Sequence, residues 1–131
     1  MKLNYDCIRS VLLYLEKAVT IDNDLKIVIV RVENIFEELP KYENNEILYS
    51  LSKLNEAGYI NAQLRFASGS FVDGYVTGIT YAGHDFLEKV RDNKTWTNVK
   101  SALSKVGSTG FMLIGEAAKA LLLKRLSDVI Q

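Results

Sequence analysis

The stretch from Glu43 to Trp96, ENNEILYSLSKLNEAGYINAQLRFASGSFVDGYVTGITYAGHDFLEKVRDNKTW, decides the fold. Ile47, Leu51 and Leu54 recur at intervals of four and three, which places them on one buried stripe of a helix. Asn44 or Asn45 can cap its start, and Gly58 stands where a left-handed turn ends such a helix. Glu46, Ser50 and Lys53 then share the outward face, with Tyr49 alongside. From Ile60 to Ala67 the period drops to two. Ile60, Ala62, Leu64 and Phe66 alternate with Asn61, Gln63 and Arg65, which predicts a half-buried strand. Ser68-Gly69-Ser70 and Asp73-Gly74 supply turn residues, and Tyr75 to Tyr81 predicts the returning strand of a hairpin. A helix opens at Ala82-Gly83-His84-Asp85 and runs to about Asp92, with Phe86, Leu87 and Val90 as its apolar side. Asn93-Lys94-Thr95 breaks it, and Trp96, Val99 and Leu103 mark another helix.

Upstream, Asn4 or Asp6 can cap a first helix whose Ile8, Leu12, Leu15 and Val19 fall on one face. Asp22-Asn23-Asp24 is a polar break. The β-branched run Leu25 to Val32 predicts a short, mostly buried strand. A short helix follows with Ile35, Phe36 and Leu39 inward, and it must stop near Pro40, because the residue before a proline avoids the α region. Helix, strand, helix, helix and hairpin in that order make an α+β chain of the winged helix-turn-helix type. Two or three further helices extend it. Residues 1–106 are expected to form this domain. Residues 107–131, after the Gly107-Ser-Thr-Gly110 joint, add a last helix from Phe111 to about Ile130 that packs on the core or on a second subunit.

The chain has 131 residues, enough for one domain with its own core. Formal net charge is zero, whereas a nucleic-acid binder more often has a basic excess. A neutral molecule is weakly protected from self-association. The single cysteine, Cys7, excludes an intrachain disulfide, and one Cys with one His cannot build the usual four-ligand zinc site. No apolar run reaches the roughly 18 residues of a membrane span, and the N-terminus lacks the pattern of a signal peptide. The chain is therefore expected in the cytoplasm, without a membrane partner, metal or cofactor.

Charge bears more heavily on function than any motif. Winged helices that bind double-stranded DNA place the second helix of the helix-turn-helix in the major groove. Here residues 33–46 carry Glu33, Glu37, Glu38, Glu43 and Glu46 against Lys41, a net of four negative charges. Carboxylates repel phosphates, so Asn44, Asn45, Tyr49, Ser50 and Lys53 remain as groove contacts, with Arg65 for the backbone. Glu37, Glu38 and Glu46 form instead an acidic patch suited to a basic protein surface. From Asp85 to Arg125 eight cations face four carboxylates, so the sign reverses towards the C-terminus.

Catalytic constellations are lacking. His84 and Asp85 are sequence neighbours at a helix start and do not face each other, so His84 reads as a capping or packing residue. Cys7 reads as a buried small hydrophobe. Neither Gly107–Gly110 nor Gly69–Gly74 ends in the Gly-Lys-Ser/Thr of a phosphate loop. Trp96 reads as a core anchor rather than a stacking platform.

Met1-Lys-Leu-Asn-Tyr-Asp-Cys-Ile-Arg9, Ile47-Leu-Tyr-Ser-Leu51, Leu54-Asn-Glu-Ala-Gly-Tyr-Ile60 and above all Gly83-His-Asp-Phe-Leu87 carry a resemblance. With them the chain resembles, to about Lys105, a family of small uncharacterised phage and prophage proteins. The resemblance implies a winged-helix fold, a mobile-element origin and no enzymatic activity. The family often has Tyr-His where this chain has Tyr49-Ser50, which removes a polar side chain from the presumptive recognition helix. Two functions follow as expectations. One is a non-enzymatic accessory protein that binds DNA or acts on transcription. The other is a protein-binding module that modulates a host or defence protein. A homodimer through the C-terminal helix is compatible with both.

Overall fold

The computed structural model describes residues 1–106. The Gly107–Gly110 joint, the helix expected over 111–130 and the dimer contact expected of it lie outside the described residues. The chain divides into two compact units, Met1–His84 and Asp85–Gln131.

In the first unit, α1 (Tyr5–Ala18) begins under the side chain of Asn4, whose Oδ1 accepts from the Cys7 amide at 3.1 Å. This satisfies one of the donors a helix start leaves open. Cys7, Ile8, Val11, Leu12 and Leu15 form its buried stripe. The expected single strand over Leu25–Val32 is instead two pieces. β1 (Thr20–Ile21) pairs antiparallel with β2 (Ile27–Val28), and β3 (Val30–Arg31) turns away to join a different sheet. The run is also mostly exposed, with only Val30 and Val32 buried. The reason is the loop before it. The Asp22 carboxylate accepts from the amides of Asp24 and Lys26, the Leu25 amide bonds to the Asp22 carbonyl, and the chain doubles back into a tight hairpin. That turn holds Leu25 at φ +64°, a left-handed conformation costing a branched residue about 1–2 kcal/mol.

α2 (Val32–Glu38) ends before Pro40 and buries Val32 and Ile35, while Phe36 and Leu39 are half-buried. α3 (Asn44–Glu56) buries Ile47, Ser50, Leu51 and Leu54. Glu43, rather than either asparagine, stands at its cap position and makes no side-chain capping bond. Gly58, at φ +79°, ends the helix as expected, and the Tyr59 amide reaches back to the Leu54 carbonyl at 2.9 Å.

β4 (Ile60–Ala67) and β5 (Ser70–Ile79) then form the hairpin. Its tip is the two-residue turn Ser68-Gly69, both at positive φ. Asp73-Gly74 is not a turn. Both residues lie inside β5, opposite Arg65 and Leu64, and Gly74 is glycine because a Cβ there would stand 2.8 Å from the Gln63 carbonyl. The sheet order is β3-β5-β4, antiparallel throughout. The described residues thus form a mixed α+β structure with five helices and two small antiparallel sheets.

α4 (Tyr81–Val90) starts one residue before the expected Ala82. Thr80 explains the shift. Its hydroxyl donates to the Gly58 carbonyl at 2.6 Å and accepts from the Gly83 amide at 3.1 Å, so Thr80 caps the helix. Gly83 presses on the Tyr59 carbonyl so closely that a Cβ would sit 2.0 Å from it.

In the second unit, Phe86, Leu87 and Val90 of α4 are buried, as are Thr95, Trp96 and Val99 of α5 (Asn93–Val106). The interruption falls at Arg91-Asp92 rather than over 93–95. The Asp92 carboxylate accepts from the amide and hydroxyl of Thr95 and so starts the new helix inside the expected break. No helix among the described residues is long and apolar enough to cross a membrane.

Gly83→Ala should destabilise the protein by about 3 kcal/mol or more, because the obstacle is backbone and cannot rotate away. Ala82→Ser on the exposed side of the same turn should cost under about 1 kcal/mol. Urea unfolding of both variants checks the contrast.

Candidate protein or nucleic-acid interface

The surface singled out by the sequence is built on α2, α3 and the β4–β5 hairpin, all within the first unit. Asn44 and Asn45 occupy the first turn of α3 and are exposed. Tyr49 is half-buried one turn on, and the Lys53 ammonium stacks over its ring at 5.4 Å. Lys53 also bonds to Glu56 at 3.0 Å. The Glu56 hydrogen bond, followed by its charge and that of Tyr49, raises the Lys53 pKa above its ordinary value.

Ser50 does not belong to this surface. It is 1% exposed, and its hydroxyl donates to the Glu46 carbonyl one turn back at 2.8 Å. The outward face read for it fails because Ser50 lies three residues after Ile47 and four before Leu54. Those spacings put it inside the apolar stripe, not opposite it. It stands beside Cys7 of α1. Burial pushes the Cys7 thiol up, the Ser50 hydrogen bond pulls it back, and the Glu46 carboxylate pushes it up again. A serine here lets the two helices approach while its hydroxyl is satisfied within α3.

Arg65 projects from β4 into a two-pronged bond with Asp73 on β5. Nε reaches Oδ1 at 3.0 Å and Nη2 reaches Oδ2 at 2.9 Å. The pair is exposed, so its contribution to stability is small. Its effect is on charge. The Arg65 fork holds the Asp73 carboxyl below its ordinary pKa, with Arg31 adding to the pull, while Asp73 raises Arg65. The hairpin therefore offers a neutral ion pair, not a free cation. Beyond it, Phe66 and Phe71 meet edge to face at 5.7 Å, and Phe66 and Val72 are exposed.

The acidic residues contrast with these cations. Glu33, Glu37 and Glu38 of α2 and Glu43 before α3 are exposed, and Glu46 is half-buried. Lys41 stacks over Tyr42, whose hydroxyl bonds to Ser10 of α1 at 3.1 Å. Burial, and then the Glu38 carboxylate, raise the Tyr14 pKa, so the negative field of α2 reaches α1.

His84 is exposed, not packed, and Thr80 does the capping assigned to it. It lines a cleft of about 230 Å³ with Glu16, Val19, Ile21, Ile27 and Ile79. Asp85 binds Lys89 at 2.8 Å. Among the described residues no three His, Cys, Asp or Glu side chains are grouped as a metal would need. The exposed hairpin β1–β2 and this cleft were not anticipated from sequence; the tight Asp22-Asn-Asp turn before a β-branched run was the available signal.

A family model described as "Hypothetical protein (DUF2513)" matches residues 2–109. The chain belongs to this family. An "Uncharacterized protein" of Haemophilus influenzae is 26% identical over 103 residues, covering 79% of each chain. No solved structure matches.

The Asp73 carboxyl should titrate below the ordinary range of about 3.9, and Arg65→Gln should return it there. A depressed carboxylate contributes its stability above the unfolded pKa and loses it as pH falls through the folded one. The wild type should therefore exceed Arg65→Gln in stability by a small, constant margin above about pH 4, and that margin should vanish as pH falls through the depressed Asp73 pKa. An NMR pH titration of the Asp73 side chain checks both points.

Proposed function

We propose that this DUF2513-family chain is a non-enzymatic interaction module of phage or prophage type, built as a winged helix, whose α2–α3 surface takes a basic protein partner instead of DNA. Support for the winged helix comes from the order α1, β3, α2, α3, β4, β5 and from the sheet order β3-β5-β4, which sets the first strand beside the last. α3 is then the recognition helix and the β4–β5 hairpin the wing.

One observation carries the choice of partner. Both cations of α3 and the wing, Lys53 and Arg65, already hold carboxylates, while Glu33, Glu37, Glu38 and Glu43 stand exposed on α2 and just before α3. Proteins that grip duplex DNA neutralise several phosphates with cations, commonly about six to ten. Here each approaching phosphate meets net repulsion of about 0.4 kcal/mol per carboxylate at ~10 Å in water. Freeing Lys53 and Arg65 from exposed pairs costs under about 1 kcal/mol each, so the pairs alone do not forbid DNA. The uncompensated glutamates weigh more. A basic protein surface gains from the same charges and would be steered to them.

A DNA-linked role in transcription or DNA processing is the second reading, favoured by the proposed fold and by the exposed amides of Asn44 and Asn45, which can pair with base edges. Fold analogy alone supports it only by association.

The proposal predicts that tagged wild-type protein co-purifies at low salt with a basic host protein and releases it as salt rises. The Glu37→Lys, Glu38→Lys, Glu46→Lys variant should lose that partner while remaining folded by circular dichroism. Retention of the same partner by the variant would exclude this surface.

A further inference from the structure

Residues 21–29 hold the largest apolar exposure in the first unit. Leu25 is 86% exposed, Ile21 69% and Ile27 58%, with Val28 and Ile29 also open. Ile21 and Ile27 are direct cross-strand partners, so they share one face of the β1–β2 hairpin. At the tip, a turn closed by Asp22 places Leu25 at φ +64°, a position where hairpins ordinarily use Gly or Asn. A large apolar side chain is thus kept where both solvation and backbone geometry oppose it. An outlier of this kind points to a use outside the isolated fold.

The receiving shape lies at the base of the same hairpin. The cleft of about 230 Å³ has Val19, Ile21, Ile27 and Ile79 as apolar walls, with Glu16 and His84 among its polar lining. An apolar cavity of about 150 Å³ accommodates benzene, so this one has room for a leucine side chain.

We infer that the hairpin is a self-docking device, in which Leu25 of one copy enters the cleft of a second copy and the second copy returns its own Leu25. A two-fold contact requires each copy to carry both halves of a complementary pair, and this hairpin does. The charges agree: Lys26 is exposed beside Leu25, and Glu16 lines the cleft that would receive it. The area agrees as well. Ile21 and Ile27 on one face, with Leu25 at the tip, expose on the order of 400 Å², and two copies bury at least twice that, the size of a weak, reversible interface. Asp22 and Asp24 beside the tip disfavour an anionic membrane as the occupant. The formal net charge of zero leaves little repulsion between copies.

The test is sedimentation velocity of the full chain over a concentration series. The wild type should show a reversible monomer–dimer equilibrium. Leu25→Asn suits the left-handed turn, so it should weaken dimerisation about tenfold or more while the dilute monomer melts at the same or a higher temperature. Glu16→Lys and Lys26→Glu should each weaken the dimer by about two- to fivefold, and the double charge swap should restore it. A wild type that stays monomeric overturns the inference, as does a dimer indifferent to Leu25→Asn. So does a monomer that instead co-floats with phosphatidylglycerol vesicles through Leu25.

Discussion

The Thr80 hydroxyl joins the end of one element to the start of another. It donates to the carbonyl of Gly58, which has just ended α3, and accepts from the amide of Gly83, which has just begun α4. The Thr80 amide binds the Tyr59 carbonyl at the foot of β4, and Gly83 packs against that same carbonyl. One residue thus lies within hydrogen-bond range of the Gly58 and Tyr59 carbonyls and the Gly83 amide. The Thr80–Gly58 bond lies at the surface, where a hydrogen bond contributes about 0.5–1.5 kcal/mol net. The geometry of α3 relative to the hairpin therefore rests on this joint, and so does every statement about what that surface presents.

Given that joint, charge determines what α3 and the hairpin can bind. Lys53 and Arg65 are tied to carboxylates, the exposed Glu33, Glu37, Glu38 and Glu43 outnumber Lys41, and a residue expected to reach outward, Ser50, is instead sealed between α1 and α3. None of these alters the backbone. A winged helix can thus keep its frame while its usual ligand is disfavoured by a handful of side chains, and in the proposed reading this chain has done so. The hairpin β1–β2 lies apart from these residues in sequence, so a second contact can be added without disturbing the first.

Much of the frame was legible in residues. The stripe Ile47, Leu51, Leu54 and the alternation from Ile60 gave α3 and β4 nearly to the residue, because local periodicity reports burial directly. The failures share a different cause. Leu25 to Val32 reads as buried because β-branched runs usually are, yet a side-chain-stabilised turn and a change of sheet expose it. Asp73-Gly74 reads as a turn because the pair is common in turns, whereas here Gly74 answers a close approach by β4. Ser50 reads as outward because it is polar, whereas its spacing puts it in the buried stripe. Pairing of Arg65 with Asp73 needed the register of the hairpin, which depends on the tip at Ser68-Gly69. Ser50 apart, tertiary neighbours and not local pattern decide these.

The most direct measurement of the central claim is duplex DNA binding by fluorescence anisotropy at low and moderate salt, comparing the wild type with its Glu37→Lys, Glu38→Lys, Glu46→Lys form. The account predicts no saturable binding by the wild type and a new, steeply salt-dependent binding once the three charges are reversed. Saturable, salt-dependent binding by the wild type, weakened by substituting Asn44, Asn45 or Arg65, would contradict it.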